Sequence, residues 1–354
     1  MSVYTAKLAQ FFNFYLIAGS LLFIHLSCEA NDAFIWQHHQ LTSQPSLRGS
    51  AISGDTLWVT GTDNTVFTSV DGGKSWQDRS VKTIQATDFR DIAVFDAKTA
   101  IVMGVGNGQN SALYLTENAG ETWQLLHQNQ AAEGFYDSIA FWDRENGLLL
   151  GDPVDGFYVI ERTVDGGKTW QRIEKNKLPE PLTSEAAFAA SGNTLIVGEN
   201  GQAWFTTGGW SASLYYSADF GKSWQRFDVP IFKNSATAGG YALARNQLGD
   251  IFVLGGDYLK RDGRYTNMAK WSNGQFYSVP SGDFGLRTAM GCSHKICIST
   301  GKLANDISYD QGLSWQGLLN THKEGDAGFY TLAQQHGLFL FAGANGHIAV
   351  LKSH

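Results

Sequence analysis

The sequence predicts an all-β protein, a seven-bladed β-propeller made of four-stranded antiparallel blades. Three observations support this prediction. A turn motif ending in Trp recurs along the chain, and a pair of short apolar strands ending in Gly occurs seven times. The composition, with 40 Gly, 6 Pro and 13% aromatic residues among 354, is typical of a large ordered fold whose core is built from aromatic residues rather than helix formers.

The turn motif reads SVDGGKSWQ between Ser69 and Gln77 and returns as TVDGGKTWQ, SADFGKSWQ and SYDQGLSWQ. NAGETW is a variant without the Asp. KWSNGQFYSV is a degenerate copy that keeps the turn residues Asn273 and Gly274 but not the Trp after the turn. The Asp and hydroxyl residues can hydrogen-bond the backbone of their own tight turn, while the Trp packs between blades. We therefore assign structural roles, not catalytic ones, to Asp71, Asn118, Asp165, Asp219 and Asp310.

A second signature precedes each turn motif: an apolar strand, a polar turn and another apolar strand ending in Gly, as in LRGSAISGDTLWVTG. With period-two alternation, it predicts blades of strands a, b, c and d, with the Trp-containing turn between c and d. Seven such units in residues 31–354 average about 46 residues, which suits a propeller blade. We expect these residues to form one domain.

The seventh unit ends at GHIAVLKSH, which supplies strand c and then stops. Its missing strand d is predicted at the other end of the chain, because FIWQHHQL at 34–41 carries the Trp-Gln pair that follows the turn motifs. We expect this N-terminal strand to close the last blade and remove the free edges of the ring. A compact stack of separate sandwiches is the alternative, but it does not predict a donated strand.

Residues 1–30 have the pattern of a secretory signal, in which Lys7 precedes an apolar run from Phe11 to Leu26 and small residues follow. We expect cleavage after Ala30 and a periplasmic or secreted protein. An uncut membrane anchor is one alternative, although the run is short for a spanning helix. A lipid on Cys28 is the other alternative, and it is the membrane attachment that we retain among the possible partners.

The two remaining cysteines, Cys292 and Cys297, lie in GCSHKICIS. If Ser293 to Ile296 form a hairpin turn, the two face each other across neighbouring strands and can pair in an oxidising compartment. Two buried free thiols are the alternative. We expect no metal site, because His294 alone completes no ligand set.

Charge and motifs narrow the classes of partner. A formal net charge of -7 and a pI of about 5.7 argue against nucleic-acid binding. GVGNGQ at 104–109 lacks the following helix of a dinucleotide fold, and the chain has no CxxCH haem motif. We therefore expect a monomer without a cofactor, whose partner is a protein, a glycan or a small anionic ligand.

Propeller topology places the candidate site on the face opposite the turn motifs. The b–c loops lie on that face, and the long ones are GDPVDG at 151–156, TTGGWSA at 206–212 and GGDYLKRDGRYTN at 255–267. The starts of the inner strands meet there around the axis, and they carry Arg48, Arg90, Asp137, Glu185, Tyr241, Arg287 and Tyr330. The loops add Asp152, Asp155, Trp210, Asp257, Tyr258 and Arg264. These residues either bind a ligand or form a buried Arg–carboxylate network that closes the channel.

With RGSAIS, FRDIAV, GDPVDG, EAAFAAS, TTGGW and GGDY, the chain resembles a bacterial family of exported Asp-box propellers. This BNR, or sialidase-like, family is related to the photosystem II stability and assembly factors of plastids and cyanobacteria. Its members are often labelled oxidoreductases, but no motif in this sequence supports redox chemistry. The resemblance covers nearly all of the mature chain, and the assembly factors imply a non-catalytic scaffold that holds a partner on one face.

Sialidases imply the alternative function, glycoside hydrolysis. They hold a carboxylate with three Arg and use a Tyr and Glu pair as nucleophile. The matching residues here are Arg48, Arg90 and Arg287 with Glu185 and Tyr241 or Tyr330. Sialidases usually have six blades, however, and begin with an Arg-Ile-Pro stretch that is absent here.

Propeller xyloglucanases suggest a different catalytic pair, because they use opposed Asp residues. Asp137 with Asp152 or Asp257 could provide such a pair. The candidate catalytic residues, if a reaction is catalysed, are Glu185, Asp137 and Tyr241. We predict a binding or assembly propeller and keep the glycosidase as the alternative.

Overall fold

The computed structural model of the protein describes residues 34–82, 85–189, 191–280, 285–318 and 328–353. Within them the chain forms seven antiparallel blades around a central channel, which confirms the predicted β-propeller. The predictions for residues 1–30, including cleavage after Ala30 and a lipid on Cys28, lie outside the described residues. No helix in the described ranges is long and apolar enough to cross a bilayer.

The first strand, β1 (Phe34–Gln40), belongs to the last blade. The first three blades follow it, and each contains four consecutive strands. Blade one contains β2 (Leu47–Ser53), β3 (Thr56–Gly61), β4 (Val66–Ser69) and β5 (Gln77–Asp78). Blade two contains β6 (Asp88–Val94), β7 (Ala100–Val105), β8 (Ala112–Thr116) and β9 (Gln124–Gln128). Blade three contains β10 (Tyr136–Phe141), β11 (Gly147–Val154), β12 (Phe157–Thr163) and β13 (Gln171–Arg172).

Two extra strands occur near blade four, and the later blades are regular. The strands of this region are β14 (Glu185–Ala186), β15 (Leu195–Val197), β16 (Ala203–Thr206), β17 (Gly208–Gly209), β18 (Ser213–Ser217) and β19 (Gln225–Asp228). Blade five contains β20 (Ala238–Arg245), β21 (Ile251–Asp257), β22 (Met268–Ser272) and β23 (Gln275–Ser278). Blade six contains β24 (Ala289–Ser293), β25 (Ile296–Thr300), β26 (Asn305–Ser308) and β27 (Gln316–Gly317). Short 3-10 turns occupy Gly108–Asn110, Lys175–Lys177, Glu199–Gly201 and Ala344–Gly346.

Blade seven joins the two ends of the described chain. It consists of β28 (Phe329–Gln335), β29 (Leu338–Gly343), β30 (His347–Ser353) and β1. β1 pairs antiparallel with β30 along its whole length, from Phe34 opposite Ser353 to Gln40 opposite His347. Trp36 packs on Phe341 of the same blade, with ring centroids 5.2 Å apart. The N-terminal strand therefore closes the ring, as the sequence predicts.

The repeated Asp residues are used by their own turns. The Asp71 Oδ1 atom accepts hydrogen bonds from the Ser75 amide at 3.0 Å and the Ser69 hydroxyl at 2.8 Å, and Oδ2 accepts one from the Ser75 hydroxyl at 2.6 Å. These bonds, led by the one from the Ser75 side chain, lower the pKa of Asp71. Asp165, Asp219 and Asp310 repeat the arrangement. Asn118 makes it with its amide, accepting from and donating to Thr122.

The motif tryptophans pack where neighbouring blades meet. Trp224 is buried in a cluster that joins Leu148 of blade three to Phe205 of blade four, and its ring centroid lies 5.0 Å from that of Phe205. Its indole Nε1 donates a hydrogen bond to the Gly221 carbonyl of its own turn at 2.9 Å. Each Asp box therefore stabilises its own turn and positions a Trp side chain that packs between two blades.

Blade four departs from the repeat at its inner strand. β14 pairs with β17, and β15 pairs with β16. On the partner side only Thr207 separates β16 from β17, whereas eight residues separate β14 from β15. These eight residues therefore bulge out of the sheet. We call residues 187–193 the channel segment; Ala190 lies outside the described residues. Its contacts reach blade two through Ala189, blade three through Gly192 and blade six through Ser191. The segment therefore crosses the central channel.

Small residues let the chain fill the channel. Gly192 has φ of 69°, and a Cβ atom there would lie 2.3 Å from the Asp91 side chain. Only glycine meets both conditions without strain. The run of Ala, Ser and Gly after Glu185 has the pattern of an ordinary strand, so the sequence did not predict that the channel segment leaves the sheet.

Cys292 and Cys297 are joined by a disulfide. They lie directly opposite each other in β24 and β25, on the two sides of a turn in which His294 has a positive φ of 52°. The bridge closes a hairpin of blade six.

Replacing Trp36 by Ala tests the closure of the ring. We expect this substitution to lower the free energy of unfolding by about 2 kcal/mol, because it removes a large side chain packed against the last blade. Urea denaturation measures the change. Ile35→Ala is the control: its side chain is 61% exposed on the opposite side of β1, so the effect should be within about 0.5 kcal/mol. Equal effects of the two substitutions would contradict the role of β1.

Two substitutions at Asp165 test whether the Asp box is structural. Asp165→Ala removes an acceptor for the Thr169 amide and the Thr163 and Thr169 hydroxyls, so we expect a loss of about 1–2 kcal/mol of stability. Asp165→Asn should retain most of it, because Asn118 makes the same turn. Thermal or urea unfolding distinguishes the two, and equal losses would show that charge rather than turn geometry matters.

Candidate functional site

A cavity of about 380 Å³ opens at the centre of the face opposite the Asp boxes. It lies where the inner strands begin and where the b–c loops of blades three, five and six converge. The predicted residues that line it are Arg48, Arg90, Asp137, Asp152, Tyr241, Tyr258 and Tyr330. The volume is in the range of small-ligand pockets.

Two residues predicted for this ring are buried in other contacts. Glu185 accepts hydrogen bonds from the Leu182 amide at 2.6 Å and the Tyr215 hydroxyl at 3.2 Å, and it also contacts the Thr207 hydroxyl. Arg287 is fully buried, and its Nε donates to Asp306 at 2.9 Å. Neither residue lines the cavity. The structure therefore corrects the expectation that all seven ring residues converge, because a buried charge is held by the nearest partner that can pair with it.

Most of the candidate residues predicted on the loops do not line the cavity either. Asp257 is buried and accepts hydrogen bonds from the hydroxyls of Ser235 at 2.8 Å and Thr237 at 2.7 Å, so it organises its own loop. Asp155, Trp210 and Arg264 are not among the lining residues of the cavity. Asp155 occupies the turn between β11 and β12 with φ of 55°, and Trp210 and Arg264 are exposed on loops. They lie on the protein surface outside the cavity.

Some lining residues were missed by the sequence analysis. Lys302 follows β25, and its Nζ lies 5.0 Å from the centroid of the Tyr330 ring. Phe188 comes from the channel segment and stacks on Tyr241 with centroids 4.4 Å apart. Phe135 precedes β10, and Thr288 precedes β24. The position of Lys302 in a b–c loop was a usable signal, whereas Phe188 was hidden because its segment reads as a strand.

Three residues that line the cavity are positively charged, and we call them the cationic wall: Arg48, Arg90 and Lys302. Arg48 lies over the Tyr330 ring at 4.4 Å, and its Nε donates to Ser46 at 3.0 Å. Burial and the neighbouring charge of Arg90 lower the pKa of Arg48. Arg90 donates to the Ala189 carbonyl at 2.8 Å and pairs with Asp88 at 3.3 Å. Two guanidinium groups whose charges influence each other favour a bound anion.

Asp137 and Asp152 of blade three line another part of the cavity, where the charge of Arg90 reaches Asp137, and we call this pair the acidic corner. Asp137 is 1% exposed, and its Oδ2 has no hydrogen-bond partner within the described part of the chain. Burial, and then the charge of Asp152, raise the pKa of Asp137 well above its usual value. Burial also raises the pKa of Asp152, whose Oδ1 accepts a hydrogen bond from the Ala187 amide at 3.3 Å. The acidic corner therefore favours either a bound proton or a bound cation.

The channel segment forms the floor of the cavity over a third buried acid, Asp91. The Ser138 hydroxyl lies 2.5 Å from the Gly192 carbonyl oxygen and 2.9 Å from Asp91 Oδ2. Its single hydrogen can serve only one of them, and Asp91 also accepts hydrogen bonds from the Ile139 and Ile92 amides, each at 2.7 Å. Protonation of Asp91 would let the Ser138 hydroxyl donate to Gly192 and accept from Asp91. Burial raises the pKa of Asp91 to about 7. Below the floor, a second cavity of about 550 Å³ opens toward the Asp-box face.

The acids do not assemble a metal centre in the described ranges, where no group of three His, Cys, Asp or Glu side chains could hold a metal ion. The acids and cations that line the cavity can share protons or pair with charged organic groups. The absence of a cofactor stays a prediction.

Comparison with known proteins gives one sequence match and several structural ones. Residues 215–226 match the family model of the BNR/Asp-box repeat, and they contain Ser217, Asp219 and Trp224. No curated protein sequence matches the chain. The matched repeat is the turn between the third and fourth strands of blade four.

Solved structures with the same fold have different activities. A structure described as YCF48 bound to D1 peptide superposes with a TM-score of 0.65 at 15% identity, covering 90% of this chain and 97% of the other. A streptogramin B lyase gives a TM-score of 0.66 at 15% identity, with coverage of 91% and 98%. The GH74 xyloglucanase from Xanthomonas campestris gives 0.61 at 15%, with coverage of 89% and 53%. At such identities the similarity shows the fold: the chain is a propeller carrying the BNR/Asp-box repeat.

The pH dependence of stability tests the state of Asp91. Its pKa is raised from 3.8 to about 7 in the folded protein, so Asp91 stays protonated on folding while the unfolded chain loses the proton. Its contribution to stability is complete below about pH 4 and decreases by up to about 1.4 kcal/mol per pH unit until about pH 7. We expect urea denaturation of Asp91→Asn to show a correspondingly shallower decline over this range than the unsubstituted protein. Parallel curves would contradict a protonated Asp91.

Proposed function

We propose that this protein is a non-catalytic binding propeller that holds an anionic segment of a partner protein at the cavity opposite the Asp boxes. The observation that carries the proposal is the cationic wall at the mouth of a cavity whose floor is closed by the channel segment. A closed floor makes the cavity a binding pocket rather than a through-channel. The wall supplies donors and positive charge for a carboxylate, and the same chemistry would accept a small anionic ligand.

The surface around the cavity supports a protein partner. The b–c loops expose Trp210 at 60%, Leu259 at 72%, Tyr258 at 41% and Leu303 at 42%. Large apolar side chains exposed on the same face as a charged cavity are typical of interaction surfaces, where aromatic residues often contribute most of the binding energy. The neighbouring structure described as YCF48 bound to D1 peptide supports the same role, since that propeller binds a peptide.

Export is part of the proposal. The disulfide between Cys292 and Cys297 supports an oxidising compartment, because such bonds are rare in reducing cytosol. We propose that the protein acts as a monomer in the periplasm or outside the cell, where an assembly-factor-like propeller would meet its partner. The oxidoreductase label of similar proteins gains no support from the cavity, whose chemistry is ionic.

Glycoside hydrolysis remains the second candidate because of the acidic corner. Asp137 and Asp152 are two carboxyl groups with raised pKa in one cavity, and a general acid requires such a group. The xyloglucanase neighbour supports this candidate only through its fold. The sialidase-like set is the weaker version, since Glu185 and Arg287 do not line the cavity.

Binding to acidic polypeptides tests the proposed function. Peptides selected from a random display library on the immobilised protein should be rich in Asp and Glu or end in a free carboxylate. Arg48→Ala and Lys302→Ala should each weaken their binding about tenfold, because each substitution removes a charge from the cationic wall. Lys98→Ala is the matched control, since Lys98 is exposed at the a–b turn on the opposite face. Fluorescence anisotropy gives the affinities.

Two outcomes would contradict the binding proposal. Selected peptides whose affinity depends on Lys98 as much as on Arg48 would place the binding surface elsewhere. Release of reducing sugar from xyloglucan by the unsubstituted protein, lost in Asp137→Asn, would replace the binding function with the hydrolase.

A further inference from the structure

We propose that the acidic corner binds a primary ammonium group, so that the ligand of this cavity carries a positive group as well as the negative one held by the cationic wall. This inference rests on the proposed binding function and adds the second half of the ligand. The ammonium could come from a lysine side chain or from a free α-amino group. Both have the same recognition chemistry.

The unpaired oxygen of Asp137 is the first argument. Oδ2 of Asp137 is buried without a hydrogen-bond partner in the described residues, although buried polar atoms are nearly always paired. The nearby cation Arg90 donates to the Ala189 carbonyl and pairs with Asp88. Asp137 lines the cavity, although Oδ2 itself lies beneath the cavity surface. A small shift of the Asp137 side chain would let a ligand that donates a hydrogen bond satisfy this oxygen.

The number and type of the acidic groups select the ligand. Two carboxyl groups without a third metal-binding side chain in the described chain do not form a cation cage. A primary ammonium has three donors and a compact charge, and so can engage Asp137 and Asp152 together. A planar guanidinium would need a bidentate geometry with one carboxylate, whereas Asp152 already uses Oδ1 to accept from the Ala187 amide.

Apolar groups beside the acidic corner suit the carbon chain of an amine. Phe135 and Phe188 line the same cavity, and Phe188 is held in place by stacking on Tyr241. Phe188 follows Ala187, whose amide contacts Asp152, so the ring is only one residue from the acidic corner. Methylene groups could pack against these rings while the ammonium reaches the carboxylates. Lysine side chains bind in this manner, with the stem on an apolar surface and the charge beyond it.

Ammonium binding should be coupled to proton release. Two charged or titratable groups are coupled to the corner. Arg90 lowers the pKa of Asp137, and the pKa of Tyr158 is raised by burial and by the charges of Glu185, Tyr215 and both corner acids. Since the free corner favours protonated carboxyl groups, an incoming cation must displace a proton. Affinity should therefore increase as the pH rises above the ordinary range of a carboxyl pKa and the corner acids lose their protons.

Titration with two amine probes provides the test. Nα-acetyl-lysine amide presents only an ε-ammonium, and glycylglycine amide presents only an α-ammonium. We expect isothermal titration calorimetry to detect binding of at least one, and acetylation of its amine to abolish binding. Heats measured in buffers of different ionisation enthalpy should show release of a proton wherever the free corner is still protonated. The probe that binds more tightly identifies the source of the ammonium.

Substitutions locate the site. Asp137→Asn and Asp152→Asn should each weaken the binding probe about 30-fold, as expected when one partner of a buried charge pair is removed. Asp155→Asn is the matched control, because Asp155 lies three residues from Asp152, faces solvent and pairs with Lys175 at 3.5 Å. If Asp137→Asn fails to fold, Asp152→Asn decides the question.

The inference and the proposed function can fail separately. Absence of binding by both amines, or equal binding of their acetylated forms, overturns the ammonium site. Equal effects of Asp155→Asn and Asp152→Asn overturn it as well. In either case the proposed binding function would stand if the binding of acidic peptides still depended on Arg48. If peptide binding did not depend on Arg48 either, both the ammonium site and the proposed binding function would be contradicted.

Discussion

Closure of the ring is the constraint on which the rest of the structure depends. Each blade is a small sheet with two apolar faces, and both must be covered by neighbouring blades, so an open row would leave its end faces exposed to water. The pairing of β1 with β30 completes the circle and places Trp36 on the last blade. Once the ring is closed, the starts of seven inner strands converge on one axis, and this convergence creates the cavity.

The two faces of the disc use polar residues in different ways. On one face the Asp-box carboxylates accept hydrogen bonds within their own turns, so they stabilise the fold and are not available to a ligand. On the other face, loops of different length bring charged residues from several blades to one cavity. The channel segment is the link, because it closes the axis and takes the Arg90 hydrogen bond through Ala189. The cavity thus has a fixed floor beneath a variable rim, an arrangement suited to recognition.

The cavity combines positive and negative side chains from different blades. Asp137 and Asp152 lie on blade three, while Arg48, Arg90 and Lys302 come from blades one, two and six. Direct pairing of all these groups would have made a buried ionic plug, the alternative that the sequence left open. Keeping a carboxyl oxygen of Asp137 unpaired has a cost in stability, and such costs are common where a ligand supplies the missing partner. A hydrolase and a binding protein would both use this feature.

The sequence by itself determined the blade number, the Asp-box turns and the donated strand, because hydrogen bonds within a turn and alternation along a strand are local and repeat with the chain. It also placed the cavity on the correct face, since strand order decides which loops share a side. Only the tertiary structure sorted the polar ring. Arg287 pairs with Asp306 and Glu185 with Tyr215, so both are removed from the cavity by partners distant in sequence. The excursion around Phe188 was likewise decided by space in the channel, which depends on all the blades at once and leaves no periodic signal.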